Sequence, residues 1–373
     1  MESGKSPFWP EIEATYSYQR RENTLDFELR NASTFTAEAS YNLFRGFSDR
    51  NALGAARSTL AASRFEQKAV EADVVLGAKQ AYIELLRAGK NLEAAKESVE
   101  LLTRQRRDAE AFYKAGLTAK NEYLKVEVAL ASVRQELLRA ESAVTVARRS
   151  LEQAIGAPLP REAALLEIEA GEPLAFDEGA LSKRMMESRS EIRFLESLRA
   201  SREFTRKSIR GGYLPSLDLS VSHSRFGETF AFEGLPDPLF DSNTTGLLEA
   251  QWSLFDGFRK RSDMLAEEAE IRALTERIRE SRESLSLQLS TAVEEYRVAA
   301  GNLGLSDKAV EQAEENYRIT ENQYRERVAT TTDLLEARVF LTRARYEKIN
   351  ARYGLARAAA LLERVVEGPL GEP

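Results

Sequence analysis

The sequence is poor in the side chains that most often build disulfides, metal sites and catalytic centres. It has no cysteine, one histidine and four methionines among its 373 residues. This excludes disulfide bonds and thiolate metal sites, and it argues against a metal site made of histidine or methionine. We interpret the one histidine, His223, as an ordinary strand residue. No glycine-rich phosphate loop, nucleophile–base pattern or metal-binding cluster is present, so we predict no cofactor and no enzyme activity.

Long apolar runs are also missing. No run reaches the roughly 18 apolar residues of a transmembrane helix, so the sequence predicts none. Residues 1–5 lack the apolar core of a signal peptide, and we expect either that such a segment was removed or that the chain is incomplete. Lysine and arginine number 53 against 60 acidic residues, and both signs are interspersed. The sequence therefore predicts no nucleic-acid partner.

One motif occurs twice. Residues 43–47 read Leu-Phe-Arg-Gly-Phe and residues 254–258 read Leu-Phe-Asp-Gly-Phe, 211 positions apart. Alternating side chains precede each copy, which indicates a strand, and a long helical pattern without proline follows. The motif therefore predicts a direct strand-to-helix junction, with glycine supplying backbone angles that other residues avoid. The junction residues are Gly46, Phe47, Gly257 and Phe258.

The chain divides into two copies of one unit. We predict a first repeat at 1–160, a linker at 161–180, a second repeat at 181–366 and a tail at 367–373. The predicted strands are 11–20, 34–44, 216–226 and 245–255, and the predicted helices are 48–114, 121–155, 181–210, 259–327 and 332–366. The strands fit either transmembrane β-hairpins or soluble hairpins with one buried face. The last helix has no equivalent of helix 181–210 to stack on, so we expect a further helix before Ser6.

The layout resembles the outer-membrane efflux protein family, the TolC-like exit ducts. Its most specific residues are Tyr213-Leu214-Pro215-Ser216-Leu217, the two junctions, and the Tyr-x-x-Gly-Leu pattern at 113–117. The resemblance implies a mainly α protein with β strands. Coiled-coil helical hairpins would form an α-barrel, and four strands per chain would join a trimeric twelve-stranded transmembrane β-barrel. Independently, four strands cannot close a barrel and open edges cannot face lipid, so the strands require copies of the chain.

The same resemblance implies a place and partners. The homotrimer would sit in outer-membrane lipid of a Gram-negative-type bacterium and extend into the periplasm. It would be a passive duct that works with a periplasmic adaptor (membrane fusion) protein and an inner-membrane transporter. The main alternative is a structural coiled-coil protein of the envelope without transport activity, which the long heptads favour but the duplicated strands do not. An enzyme is the weakest reading.

Two turns are the first candidate site. In the resembled family the hairpin tips meet the adaptor, and the alternative is ordinary helix-turn chemistry, with Gly116 as a C-cap and threonines as N-caps. Arg327 stands where the first repeat has Gly116, so an identical contact at both tips is not assured. The tip residues are Ala115, Gly116, Leu117, Thr118, Arg327, Val328, Ala329 and Thr330.

Acidic residues form the other candidates. Asp333 and Glu336 are three apart, which places them on one helix face, and in the resembled family acids at this place ring the periplasmic pore constriction. The alternative is acids that favour a helix N-terminus, and Glu122 occupies the equivalent of Asp333. The polar strand face would line a water-filled lumen, or would be the exposed face of a soluble sheet. It carries Glu13, Glu38, Asp218 and Glu249.

Overall fold

A computed structural model describes residues 3–22, 31–160, 165–168, 176–230, 241–368 and 370. Residues 3–66 and 190–281 belong to one compact unit, and the remaining described residues belong to a second unit. A short 3-10 helix, Ser3–Phe8, comes first. The strands are β1 Glu11–Arg20, β2 Asn31–Arg45, β3 Ser216–Gly227 and β4 Ser242–Gln251. The helices are α1 Ser48–Lys114, α2 Lys120–Ile155, α3 Glu178–Ser188, α4 Ser190–Gly211, α5 Arg259–Arg325 and α6 Thr331–Val366.

The four strands form one antiparallel sheet in the order β1-β2-β3-β4. Its register brings Ile12, Ala39 and Val221 into one row, and Glu13, Glu38 and Ser222 into the adjacent row. Because successive side chains point to opposite faces, one face is apolar and the other polar. All four predicted lumen acids lie on the polar face, where Glu13 is opposite Glu38 and Asp218 is opposite Glu249. His223 lies on the other face, with Nδ1 2.8 Å from the Thr244 hydroxyl.

Among the described residues, β1 and β4 have no hydrogen-bonded strand on their outer sides. Every residue of β1 and every residue of β4 is exposed. Large apolar side chains share this exposure: Ile12 is 80% exposed and Leu248 is 61% exposed. Such a sheet is incomplete by itself, because exposed edges and an exposed apolar face are both liabilities in water.

The prediction that the fourth strand extends to residue 255 is wrong. β4 ends at Gln251, and the next residue leaves the ladder. The Trp252 indole donates a hydrogen bond to the Tyr213 carbonyl oxygen at 3.0 Å, and the Phe255 ring meets the Phe258 ring edge-on at 5.5 Å. These local contacts replace strand pairing. The other strands differ from the predicted bounds by up to three residues.

The strand-to-helix junctions have the same backbone in both copies. Gly46 and Phe47 have φ of 61° and 66°, and Gly257 and Phe258 have φ of 69° and 68°. The left-handed region is costly for phenylalanine, so the fold must hold that residue in place. In the first copy Phe44 packs edge-on against Phe47 at 5.3 Å, as Phe255 packs on Phe258. The aromatic pair thus locks a turn that glycine alone would leave free.

Helix bounds show the internal duplication at the level of the backbone. α1 and α5 each have 67 residues, α2 and α6 each have 36, and a shift of 211 superimposes all four starts and all four ends. Every described residue with positive φ has its partner at the same shift, including Gly116 with Arg327 and Gly156 with Glu367. Backbone geometry has been kept where residue types have changed.

The prediction of one helix over 181–210 is wrong, because the helix is interrupted at Arg189. Its side chain is 4% exposed, and its guanidinium donates hydrogen bonds to the carbonyl oxygens of Arg364 and Val365, the second at 2.9 Å. Those carbonyls belong to the last turn of α6, where no intrahelical donor remains. Arg189 therefore caps α6 with a positive charge, and the chain leaves helical geometry there to do so.

Apolar seams hold the helices of the second unit together. In α2 the buried positions include Leu130, Val133, Ala147 and Leu151, which fit the three-four spacing of a coiled-coil seam. In α6 the corresponding buried positions are Leu341, Ala344, Leu355, Ala358, Leu362 and Val365. A cluster around Leu102 joins α1 to α2 near the tips. Within the described ranges, no helix combines the length and hydropathy needed to cross a bilayer.

Candidate functional site at the helix-hairpin tips

The two predicted tips are turns of the same kind. After α1, the Gly116 N–H bonds to the Tyr113 carbonyl and the Leu117 N–H bonds to the Phe112 carbonyl, both at 2.9 Å. With φ of 69° at Gly116, this is a Schellman C-cap. After α5 the same pair of bonds forms at 3.0 Å and 2.8 Å around Arg327, whose φ is 63°. An arginine therefore adopts the conformation for which the first tip uses glycine.

An apolar side chain projects from each tip. Leu117 is 47% exposed and Val328 is 76% exposed, and they occupy equivalent places 211 residues apart. The residue after a Schellman glycine often packs back onto its own helix. Here it is left largely in solvent on both hairpins. Ala115, Thr118, Ala329 and Thr330 complete the two turns.

The second tip has a side-chain N-cap that the first tip lacks. Thr330 Oγ1 accepts a hydrogen bond from the Asp333 backbone N–H at 3.2 Å, and the Asp333 carboxylate accepts one from the Thr330 backbone N–H at 2.8 Å. This reciprocal pair is a capping box. At the first tip Ala119 takes the N-cap position without a side-chain bond, so Thr118 is not a cap.

Asp333 and Glu336 lie on an exposed face of α6. Both side chains are exposed, and Asp333 Oδ2 also accepts a hydrogen bond from the Thr330 hydroxyl at 2.8 Å. Hydrogen bonds from the Thr330 backbone and side chain lower the pKa of Asp333 below its ordinary value, since they favour the charged form. The next turn of this face carries Val339 and Phe340, each 60% exposed. Asp333 is therefore an ionised group on a surface that has apolar residues beside it.

The first tip neutralises its acid. Lys125 Nζ lies 2.8 Å from Glu122 Oε1 and also donates to Thr332 Oγ1 at 3.0 Å, which links α2 to α6. The hydrogen bond from Lys125 lowers the pKa of Glu122. The residue that replaces Lys125 in the second repeat is Glu336. The same helix start is thus an acid–base pair in one repeat and a pair of acids in the other.

Arg338 is a functional candidate that was not among the predicted site residues. Its side chain is 4% exposed, and within the described residues its Nε and Nη1 have no hydrogen-bond partner. Burial lowers the pKa of the Arg338 guanidinium from its ordinary value. The sequence contains a signal for this burial. Leu334, four residues before Arg338, and Leu341, three residues after it, both belong to the buried seam. A heptad extended towards the tip places this arginine inside the helix bundle.

Both the sequence and the fold of the chain match known proteins. The family model described as outer membrane efflux protein matches residues 1–157 and 181–366. The chain belongs to the outer membrane efflux protein family. It is an outer-membrane efflux protein that extends into the periplasm. No curated protein matches the chain significantly.

Solved structures show the same fold at low sequence identity. CusC superimposes with a TM-score of 0.86 at 13% identity, covering 99% of this chain and 85% of that one. VceC from Vibrio cholerae gives 0.83 at 18% identity, with 99% and 90% covered. The CmeC outer membrane channel of Campylobacter jejuni gives 0.80 at 15% identity, with 100% and 81% covered. Among the described residues of this chain, no group of three or more His, Cys, Asp or Glu is placed to hold a metal ion.

Proposed function

We propose that the chain is one of three identical protomers of a passive exit duct. The observation that carries this proposal is the open sheet, with two exposed edge strands and one exposed apolar face. Lipid accepts the apolar face, but it cannot satisfy the backbone groups of a free edge. Pairing β1 of one protomer with β4 of the next removes every edge. Three protomers then give a twelve-stranded barrel whose polar face lines a water-filled lumen.

The helices continue the duct into the periplasm, and the tips are its contact with a periplasmic adaptor. The support for this assignment is the exposed apolar residue at each tip, Leu117 and Val328. Apolar side chains at the centre of a small, otherwise polar surface are typical anchors of protein interfaces. The adaptor in turn connects the duct to an inner-membrane transporter, which supplies the energy that a passive channel lacks.

Asp333 and Glu336 form the narrow periplasmic mouth. Two carboxylates from each of three chains would place six negative charges around one opening. Support comes from the charge difference between the repeats, since Lys125 neutralises the equivalent first-repeat acid whereas Glu336 adds to Asp333. The mouth therefore attracts cations.

The barrel is tested by cross-linking, for which a chain without cysteine is a clean background. Cysteines introduced in β1 (Ala14→Cys) and in β4 (Leu248→Cys) should be joined between protomers by a flexible bis-maleimide, which gives covalent dimers and trimers on denaturing gels. Either single variant should give only monomer or a dimer, because each then offers one reactive thiol per chain. A purified membrane protein that conducts no ions in planar bilayers, or that remains monomeric in the double-cysteine form, would contradict the proposal.

A further inference from the structure

A groove lies in the first unit beside the strand-to-helix junction. It has a volume of about 860 Å³ and lies among the start of α1, the end of α4 and the start of α5. Two kinds of side chain line it, cationic and apolar, and each kind comes from more than one helix. The cationic residues are Lys207, Arg210 and Arg261, and the apolar ones include Phe47, Tyr213, Leu214 and Leu265.

The cationic side chains are not neutralised by the protein. All three are exposed, and within the described residues none of them has an ion pair or a hydrogen bond from its side chain. The Lys207 ammonium lies 5.1 Å from the centre of the Phe204 ring. The single carboxylate of the groove, Glu268, is paired with Arg272 outside it at 2.8 Å. Within the part of the chain that the structure describes, the groove therefore presents three positive charges without a counter-ion.

The apolar wall of the groove continues the apolar face of the sheet. Phe44 pairs with Leu217 on that face, and its ring packs on Phe47, which is 57% exposed in the groove. On the other side, Trp252 follows β4 and bonds to the carbonyl of Tyr213, another groove residue. A molecule lying along the apolar face could thus reach the three cations without crossing polar surface.

We propose that this groove binds the headgroup of an anionic phospholipid of the inner leaflet of the outer membrane. The phosphate lies against Lys207, Arg210 and Arg261, and the acyl chains run from Phe47 and Tyr213 along the sheet. The proposal rests on the proposed function in one respect, the orientation of the apolar sheet face towards lipid. Because the helices extend into the periplasm, the junction marks the leaflet nearest to them.

A lipid fits the groove better than a soluble anion or an acidic peptide does. A free phosphate would use the cations but leave the apolar wall in water. An acidic peptide would use both, but it would have to displace the lipid that already covers the adjoining sheet face. Clustered Lys and Arg next to a membrane-embedded surface, with amphipathic aromatic side chains beside them, are the usual composition of a headgroup site.

Quenching of tryptophan fluorescence tests the proposal, because one of the two tryptophans is next to the groove. In a Trp9→Phe background, the purified trimer in mild detergent is titrated with dibrominated phosphatidylglycerol or dibrominated phosphatidylcholine while Trp252 emission is followed. We expect the anionic lipid to reach half-maximal quenching at a mole fraction lower by about fivefold for each cation it contacts. The Lys207→Gln, Arg210→Gln, Arg261→Gln triple variant should lose this preference, so that the two lipids quench alike.

A matched variant controls for net charge. Arg50→Gln, Arg57→Gln and Arg64→Gln remove the same charge from exposed positions of α1 outside the groove, and Arg50 is the repeat equivalent of Arg261. This variant should keep the preference. Equal quenching by both lipids in the wild type would contradict the headgroup site but not the proposed function. The same holds if the control variant loses the lipid preference as fully as the triple variant does. Recovery of emission on adding glycerol 3-phosphate would overturn the choice of a lipid. Absence of quenching by either lipid would overturn the orientation of the sheet, and with it the proposed function.

Discussion

Replacing the acids of the second tip should change the ion selectivity of the duct. The informative variant is Asp333→Asn, Glu336→Gln, which removes two exposed carboxylates per chain and preserves side-chain size. Neither residue lies in the buried seam of α6. Assembly should therefore be unaffected, whereas the charge at the mouth disappears.

The size of the effect follows from screened electrostatics. At physiological ionic strength the Debye length is about 8 Å. At that distance from one carboxylate in bulk water, a monovalent cation is stabilised by about one third of the thermal energy. Six carboxylates at that distance add up to about twice the thermal energy, which concentrates cations about sevenfold and depletes anions by the same factor. The current through a perfectly cation-selective pore reverses at about 59 mV under a tenfold salt gradient. We expect the wild type to exceed half of that value and the double variant to fall towards zero.

The assay is the reversal potential of single channels in planar bilayers. The matched control is Glu122→Gln, Lys125→Gln, which removes two charged groups from the equivalent place of the first repeat without changing net charge. Its reversal potential should stay at the wild-type value. In 1 M salt the Debye length shrinks to about 3 Å, so the difference between wild type and double variant should largely vanish. An unchanged reversal potential of the double variant at low salt would refute the reasoning and leave both acids as helix-start residues.

The pH dependence of the ion selectivity gives a second test of the same acids. The hydrogen bonds from Thr330 hold the pKa of Asp333 below its ordinary value. In a Glu336→Gln background, selectivity should therefore persist as the pH falls through the ordinary aspartate pKa of about 3.9 and be lost only below it. Thr330→Ala removes the hydroxyl bond and should move this loss to higher pH. The sign is the same for stability: the contribution of a carboxylate with a depressed pKa is complete above the unfolded pKa and disappears through the folded one.

Five further substitutions test the packing in three predictions. Gly46→Ala should destabilise the trimer to heat more than Gly257→Ala, because both positions have positive φ but an added methyl at the first meets a backbone carbonyl of α4, which adds about 1–3 kcal/mol. Arg327→Gly should stabilise the fold by about 1 kcal/mol and Gly116→Arg should destabilise it by a similar amount, measured by chemical denaturation. Arg338→Met should raise the free energy of unfolding by about 1–4 kcal/mol, since it replaces a buried guanidinium whose Nε and Nη1 have no hydrogen-bond partner among the described residues with an apolar chain. Destabilisation instead would mean that a neighbouring protomer supplies a carboxylate.

Helices and strands were largely predictable because their determinants are local and repeated. The alternation before the Leu-Phe-x-Gly-Phe motif indicates strands, and the absence of proline indicates the 67-residue helices. Because of the duplication, most elements could be predicted from two copies of the sequence pattern. The ends of helices and strands were predicted less well. One example is the strand end at Gln251, where a single hydrogen bond from the Trp252 indole to the Tyr213 carbonyl decides the backbone path.

The break at Arg189 was not predicted. It coincides with a distant contact, since the Arg189 guanidinium donates hydrogen bonds to two carbonyl oxygens of α6, about 175 positions further along the chain. The position of Arg338 was predictable in principle, since it lies four residues after Leu334 and three before Leu341 in the buried seam of α6. The exposure of Leu117 and Val328 was not, because exposure of a turn residue depends on what packs beside it.

Comparison of the two repeats separates what the duplication supplies from what has diverged. The left-handed residue and the two C-capping hydrogen bonds are shared by both tips, with Gly116 in the first and Arg327 in the second. The charges are not shared: Lys125 corresponds to Glu336, and Glu127 corresponds to the buried Arg338. Divergence in charge lets the first tip link the hairpins through Lys125 and Thr332. Under the proposed function, the second tip instead presents its two acids to the mouth of the duct.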